Sequence, residues 1–376
     1  MDKKWEITEY FAEVETTKDY KGYFCSAGEA LTIVILGSLC GLRNVNQIHQ
    51  WAVSTKVSEF LMERFGIENI PCYYWLLSLL KIINPASLNE CFIKWVQSLI
   101  PETTKELTIS FDGKTIRSTG KMEKYESPMH IVSAQIAELG ITFGQKTVYE
   151  KSNEIPAVRD LIKILKIEGF MVVADALNCQ KETAQAIVEG KADYLLDVKD
   201  NHQSLKEDIA DYVQDDDLRK TMDTITTLEK NRGRIERRTA YITDDIEWLY
   251  GKEGWSALTS IGAVHAQVTT SKGTTSEWHY YISSRRLTAE GLLKHARLEW
   301  SVESMHWLLD VHFCEDFCRI EDKNVQQNLN IVRKIAINSV KRYKEDFAIK
   351  SPMSKIMFGC LLDCENLLSL LALDKN

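Results

Sequence analysis

Residues 170 to 177, FMVVADAL, restrict the fold more than any other stretch: the run is strand-length and nearly all apolar. The strand itself ends on an acid, Asp175, two residues before Leu177. A strand wetted on one face alternates apolar and polar residues. This one does not, so it is read as buried on both faces, which requires helices on both sides of its sheet. The flanks supply them. A helical segment, Ala157 to Lys166, precedes the run, and a helix from Gln180 to Glu189 leads to a second apolar strand, ADYLLDVK at 192 to 199. Upstream, LTISFDGKTIRS from Leu107, HIVSAQIAE (130 to 138) and ITFGQKTVYE (141 to 150) carry strand-like alternation, and Leu139-Gly140 joins the last two as a hairpin. Three meandering strands followed by β-α-β-α describe an α/β fold: a mixed sheet with helices on its faces.

The remaining chain has a different character on either side. Residues 1–101 read as a helical N-terminal domain, with apolar runs at 27 to 42, 57 to 65, 72 to 83 and 88 to 100 punctuated by Pro71, Pro85 and Pro101. Residues 102–202 hold the first part of the sheet core. From 203 to 286 a helix and then alternating segments (TMDTITTLE, RIERRTAYI, SIGAVHAQVTT, EWHYYISS) predict a mostly β insertion. Residues 287–376 return to helix, with basic positions Arg333, Lys334, Lys341, Arg342 and Lys344 on the tail.

Within that last part, Lys294 to Arg319 reads as one long helix. Leu298, Val302, Met305 and Leu309 fall on one face, and Glu299, Glu303, His306 and Asp310 repeat the spacing one residue later, along its edge. A solvated polar flank explains such a row as well as a site does.

Charge and composition narrow the partners. A net charge of −8 and a pI near 5.6 argue against a general nucleic-acid coat, whose affinity comes from neutralised phosphates. They leave room for a nuclease with local basic strips and an acidic, cation-neutralised site. The longest apolar run, Ala30 to Leu42, has 13 residues, too few to span a membrane, and no basic-then-apolar leader opens the sequence; a cytoplasmic protein is expected. Nine cysteines without a CxxC argue against a disulfide framework or zinc ribbon, and Cys314 with Cys318 lacks a second ligand pair.

Asp112 and Asp175 each close a strand, and Glu303 lies on a helix that must pack nearby. Carboxylates from separate elements suit hard divalent cations, and three of them can hold two ions about 3.5 to 4 Å apart for phosphoryl transfer on nucleic acid. Asp112-Gly113 is also a common turn dipeptide, whereas an acid at the carboxyl end of a buried strand more often marks a site. Lys114, Arg117, Lys199, Lys230, Arg232, Arg234, Arg237 and Arg238 suit phosphate contacts on DNA, with solvated surface charge as the alternative for each. Trp300, His306 and Trp307 fit core packing better than base stacking. His306 is the candidate general acid or phosphate donor.

Seven segments together carry a resemblance: FDGKTIR (111 to 117), MHIVSA (129 to 134), KSNEIPA (151 to 157), ADALNCQKETAQAI (174 to 187), ADYLLDVKDNHQSL (192 to 205), GRIERR (233 to 238) and WSVESMHWLLDVHFCED (300 to 316). In this order they resemble the insertion-sequence DDE transposases, specifically the H-repeat-associated branch, and the first 100 residues resemble that family's accompanying domain more weakly. The resemblance implies a ribonuclease H-like mixed sheet with a β-rich insertion before the last acid. It implies Asp112, Asp175 and Glu303 as catalytic metal ligands, and two ions, Mg²⁺ or Mn²⁺. The implied reaction is hydrolysis at transposon ends, then attack of the freed 3′-hydroxyl on target DNA. The partners implied are double-stranded DNA, ends and target, and a second copy in a homodimer assembled on DNA, with no membrane. The site of action would be the bacterial cytoplasm, on the nucleoid when DNA is bound. Three departures touch expected DNA contacts and spare the three implied metal ligands: Arg232 and Glu299 stand where the family usually has histidine, and residues 71 to 80 lack its arginine-containing pattern. A decayed DNA-binding relic and a host nuclease of the same fold remain alternatives.

Overall fold

Nine strands form one continuous sheet in the order β3-β2-β1-β4-β5-β9-β8-β7-β6. They are β1 (Thr108–Ile116), β2 (Met129–Ile136), β3 (Ile141–Val148), β4 (Met171–Ala174), β5 (Asp193–Val198), β6 (Asp223–Asn231), β7 (Arg234–Thr243), β8 (Ser260–Thr270) and β9 (Gly273–Ser283). The structure is a computed structural model that describes residues 6–100, 106–116, 128–148, 154–231, 233–299 and 301–371, with the side chains of 6, 231 and 301–303 outside that description.

The sheet's middle follows from the apolar run that restricts the sequence. β4 pairs in parallel with β1 and β5, and its residues are buried on both faces. Met171 and Val173 face one apolar cluster and Val172 and Ala174 the main core, as expected of a strand covered on both sides. β1, β2 and β3 form the antiparallel meander.

Fifteen helices complete the described residues. α1 (Glu6–Ala12), α2 (Ala27–Leu39), α3 (Val45–Ala52), α4 (Thr55–Phe65), α5 (Tyr73–Ile82) and α6 (Pro85–Leu99) make the N-terminal module; α7 (Glu154–Ile164) and α8 (Lys181–Glu189) connect the sheet strands. α9 (Gln203–Gln214) and α10 (Asp216–Thr221) open the insertion, and α11 (Ala289–Glu299), α12 (Ser301–Phe313), α13 (Lys323–Asp346), α14 (Met353–Leu362) and α15 (Glu365–Leu371) close the chain. α2 starts on a reciprocal cap, Ser26 with Glu29, and is buried along nearly its whole length against α13. Asn328 on α13 donates to the carbonyls of Leu80 and Ile83 at 2.8 and 3.0 Å, so the helical module and the sheet share one core. None of the described helices is long and apolar enough to cross a membrane.

One expectation changes. The helix anticipated over 294 to 319 is described as α11 up to Glu299 and α12 from Ser301, and it stops short of the expected end, at Phe313, where Cys314 takes a left-handed φ of 48°. The stop turns Glu315 inward, where it is 1% exposed and bonded to Asn330 and Arg333, and those bonds favour the turn over another helical residue. The β insertion is continuous with the main sheet: β9 pairs antiparallel with β5, from Leu195 with Ser283 to Val198 with Tyr280. At its outer end Asn231 pairs with Arg234 across a two-residue turn in which Gly233 takes φ 80°, a conformation that favours glycine. Arg333 and Lys334 are buried at 4% and 1% exposure, so these two tail positions belong to the interior.

Candidate active site

Ser110 on β1 lies opposite Val173 on the parallel β4, which puts Asp112 and Asp175, each two residues on, at one level. β1 runs through Asp112-Gly113 to Ile116, so this dipeptide is no turn here. Its glycine has another cause. A Cβ on Gly113 would overlap Nε2 of His130 and lie 2.9 Å from Oε2 of Glu154. Those two side chains are buried, bonded to each other at 3.1 Å, and steadied by Thr115 at 2.9 Å from His130 Nδ1.

β4 ends at Ala174, and Asp175 begins a turn in which the backbone and side-chain nitrogens of Asn178 donate to its Oδ1 at 3.2 and 3.0 Å. Burial pushes the Asp175 carboxyl above its ordinary range; the Asn178 bonds pull it down, and the charges of Glu154 and Asp112 add to the rise. Asp112 receives the Gly113 amide on Oδ1 at 2.8 Å, and its Oδ2 lies 3.2 Å from Nδ1 of His306 on α12. Nε2 of His306 is buried and has no partner among the described residues. Glu303 is on α12 three residues earlier, about 4.5 Å along the helix axis.

Two more acids flank Asp175: Asp197, which the sequence reading passed over, and Glu299, which it placed in the polar row of the long helix. Asp197, on β5, is 2% exposed; its Oδ2 lies 2.9 Å from Lys199 and its Oδ1 has no partner among the described residues. Glu299, at the end of α11, is pushed up to about 8 by burial and then by the charges of Asp197 and Asp175, with Lys199 opposing. Asp197 carries the signal that singles out Asp175, an acid at the carboxyl end of a buried strand. Glu154 opens a helix and had no such mark.

The basic positions divide. Lys230, Arg234 and Arg237 are exposed on the outer hairpin, while Arg238 is 16% exposed and paired with Glu236 and Glu229. Lys199 is half-exposed beside Asp197. Lys114 points inward, 11% exposed, with its ammonium 2.8 Å from Asp310 and 3.3 Å from Glu315. Arg117, Arg232 and Trp300 lie outside the described residues. Trp307 is 62% exposed, which overturns core packing for it.

Among the described residues no three His, Cys, Asp or Glu side chains gather closely enough to hold a metal by themselves. The donor chemistry still fits a hard cation: Asp112 and Asp175 offer carboxylate oxygens at one level, and the charges around Asp175 disfavour its ionisation until something positive arrives.

Comparison with known proteins gives the family. The family described as transposase DDE domain matches residues 103–339, and the one described as DDE_Tnp_1-associated matches 8–96. YhhI of Escherichia coli (strain K12), which carries the name of an H repeat-associated transposase, is 31% identical over 84% of this chain and 84% of its own. YbfL of the same strain matches to the same extent, and the H repeat-associated YbfD is 30% identical over 50% of this chain and 74% of its own. Among solved structures, the piggyBac transposase synaptic complex with hairpin DNA is similar with a TM-score of 0.50 at 10% identity, covering 98% of this chain and 77% of that one. That likeness is one of fold, and the sheet is of the ribonuclease H-like type.

Proposed function

The chain belongs to the transposase DDE family, and from that premise we propose that it is a DDE transposase which cuts DNA at the ends of an insertion sequence and joins them to a target. The observation that carries this reading is the register of β1 with β4, which sets Asp112 level with Asp175 under the helix that bears Glu303. Asp112, Asp175 and Glu303 would hold Mg²⁺ or Mn²⁺, two ions in all, whose charge would supply activation of the attacking oxygen and stabilisation of the leaving one. The chain's own groups prepare that step. Asn178 fixes the Asp175 carboxyl through one oxygen and leaves the other open. His306 orients Asp112 through Nδ1, and as the candidate general acid it would return a proton to the departing oxygen.

Lys230, Arg234 and Arg237, with Arg232 between them in sequence, would take the DNA backbone, and Lys199 a phosphate nearer the acids. The duplex bound is transposon end and then target. Two copies of the chain act together on two ends, in the cytoplasm and on the nucleoid once DNA is engaged. The test is cleavage, with Mg²⁺, of duplex DNA taken from either side of the coding sequence. Activity that disappears in Asp175→Ala supports the reading. Equal activity in that variant overturns it.

A further inference from the structure

Lys114 has the sequence position of a phosphate ligand and the surroundings of a strut. On α12, His306 meets Asp112, and one turn later Asp310 meets Lys114 at 2.8 Å. Four helical residues advance about 6 Å and two strand residues about 6.7 Å, so these contacts form successive rungs between α12 and β1. A slip of one turn would break both. Behind Lys114 the charges continue inward: Glu315 lies 3.3 Å from it, is fully buried, and receives Asn330 at 2.7 Å and Arg333 at 3.4 Å. Arg333 donates to the carbonyl of Arg43 at 3.4 Å, and Nε of Arg43 donates to the carbonyl of His312 in the last turn of α12 at 3.1 Å. A guanidinium there satisfies a free helix-end carbonyl and the negative end of the helix dipole.

We propose that Lys114 is a positioning residue: with Asp310 and Glu315 it fixes the register of α12 over β1, and Arg43 of the N-terminal module closes the far end of this clasp. The inference rests on the transposase reading for its activity test. Seating of the helix that carries Glu303 and His306 thereby depends on the N-terminal module as well as on the sheet. Lys114 itself touches no DNA.

The experiment uses the full chain, Mg²⁺ and flanking-DNA duplex. Lys114→Met lowers the cleavage rate at saturating DNA by about tenfold or more, since small misplacements of reacting groups are costly, and leaves the DNA dissociation constant and its salt dependence unchanged. Asp310→Asn, on the half-exposed flank of α12, slows cleavage less, and adding it to Lys114→Met costs little further because the two share one contact. Arg43→Gln, at the surface, gives a smaller fall with the same unchanged affinity. A Lys114→Met protein that cleaves at the wild-type rate overturns the proposal. So does one that loses affinity while its salt slope becomes shallower by about 0.9, the signature of a lost phosphate contact. Wild-type protein without metal-dependent cleavage overturns the transposase reading alone. In that case hydrogen exchange decides: faster exchange of α12 amides in Lys114→Met supports the clasp, and unchanged protection overturns it.

Discussion

Around the central β1–β4 pair of the sheet, Asp112, Glu154, Asp175, Asp197 and Glu299 crowd into buried and half-buried space where histidine and lysine partners only partly offset them; at the β6–β7 edge, Lys230, Arg234 and Arg237 stand exposed. The two regions belong to one hydrogen-bonded sheet. From β4 to β6 is five strand spacings, about 24 Å, or roughly seven base pairs of B-DNA. Burial makes the first region expensive to charge, and solvent makes the second cheap. On the proposed function, cation-dependent chemistry belongs to the central acids and sequence-independent backbone grip to the outer hairpin.

The largest expected effect is at the acid end. Asp112→Ala lowers metal-dependent cleavage by about a thousandfold or more, as the loss of a group acting in the transition state does, while binding of end DNA without metal is retained or improved. A drop in affinity equal to the drop in rate would erase the contrast.

Next comes stability against pH, followed by chemical denaturation without Mg²⁺. The Glu299 carboxyl stands near 8 in the fold against 4.5 ordinarily, so between those values the folded protein holds a proton that the unfolded chain has released. Its contribution is therefore complete below about pH 4.5 and is lost as pH rises toward about 8, with a slope of up to about 1.4 kcal/mol per pH unit. Glu299→Gln removes that slope. An unchanged profile would mean that Glu299 is not desolvated beside Asp197 and Asp175.

Gly113→Ala should destabilise by about 1 to 3 kcal/mol through overpacking against His130 and Glu154, read from the denaturation midpoint. The smallest effect belongs to the hairpin. Arg237→Ala weakens DNA binding a few-fold and reduces the salt slope by about 0.9, with cleavage at saturation intact. A reduced rate at saturation would place Arg237 in the chemistry and blur the division.

Much of the central sheet is legible in the sequence, because burial on both faces leaves an apolar run and burial on one leaves alternation. FMVVADAL and the meander before it carry that information, and the strand-end rule finds Asp175. What pairing a strand makes is another matter: alternation in EWHYYISS predicts β9 without saying that it joins β5. The stop of α12 at Phe313 escapes because neither Pro nor Gly stands between it and Arg319. Lys114 reads as a phosphate ligand because its partner Glu315 is 201 residues away in sequence. Sign of charge alone does not tell a strut from a surface contact. Glu154 and Asp197 lack, respectively, a strand-end signature and a matched motif role, and only the fold brings them beside Asp175.

The close approach behind Gly113 has a genetic consequence. Every other amino acid carries a Cβ, so no missense change in that codon is conservative, whatever base is altered. A change there can weaken the fold beneath the acids while leaving every one of them in the sequence.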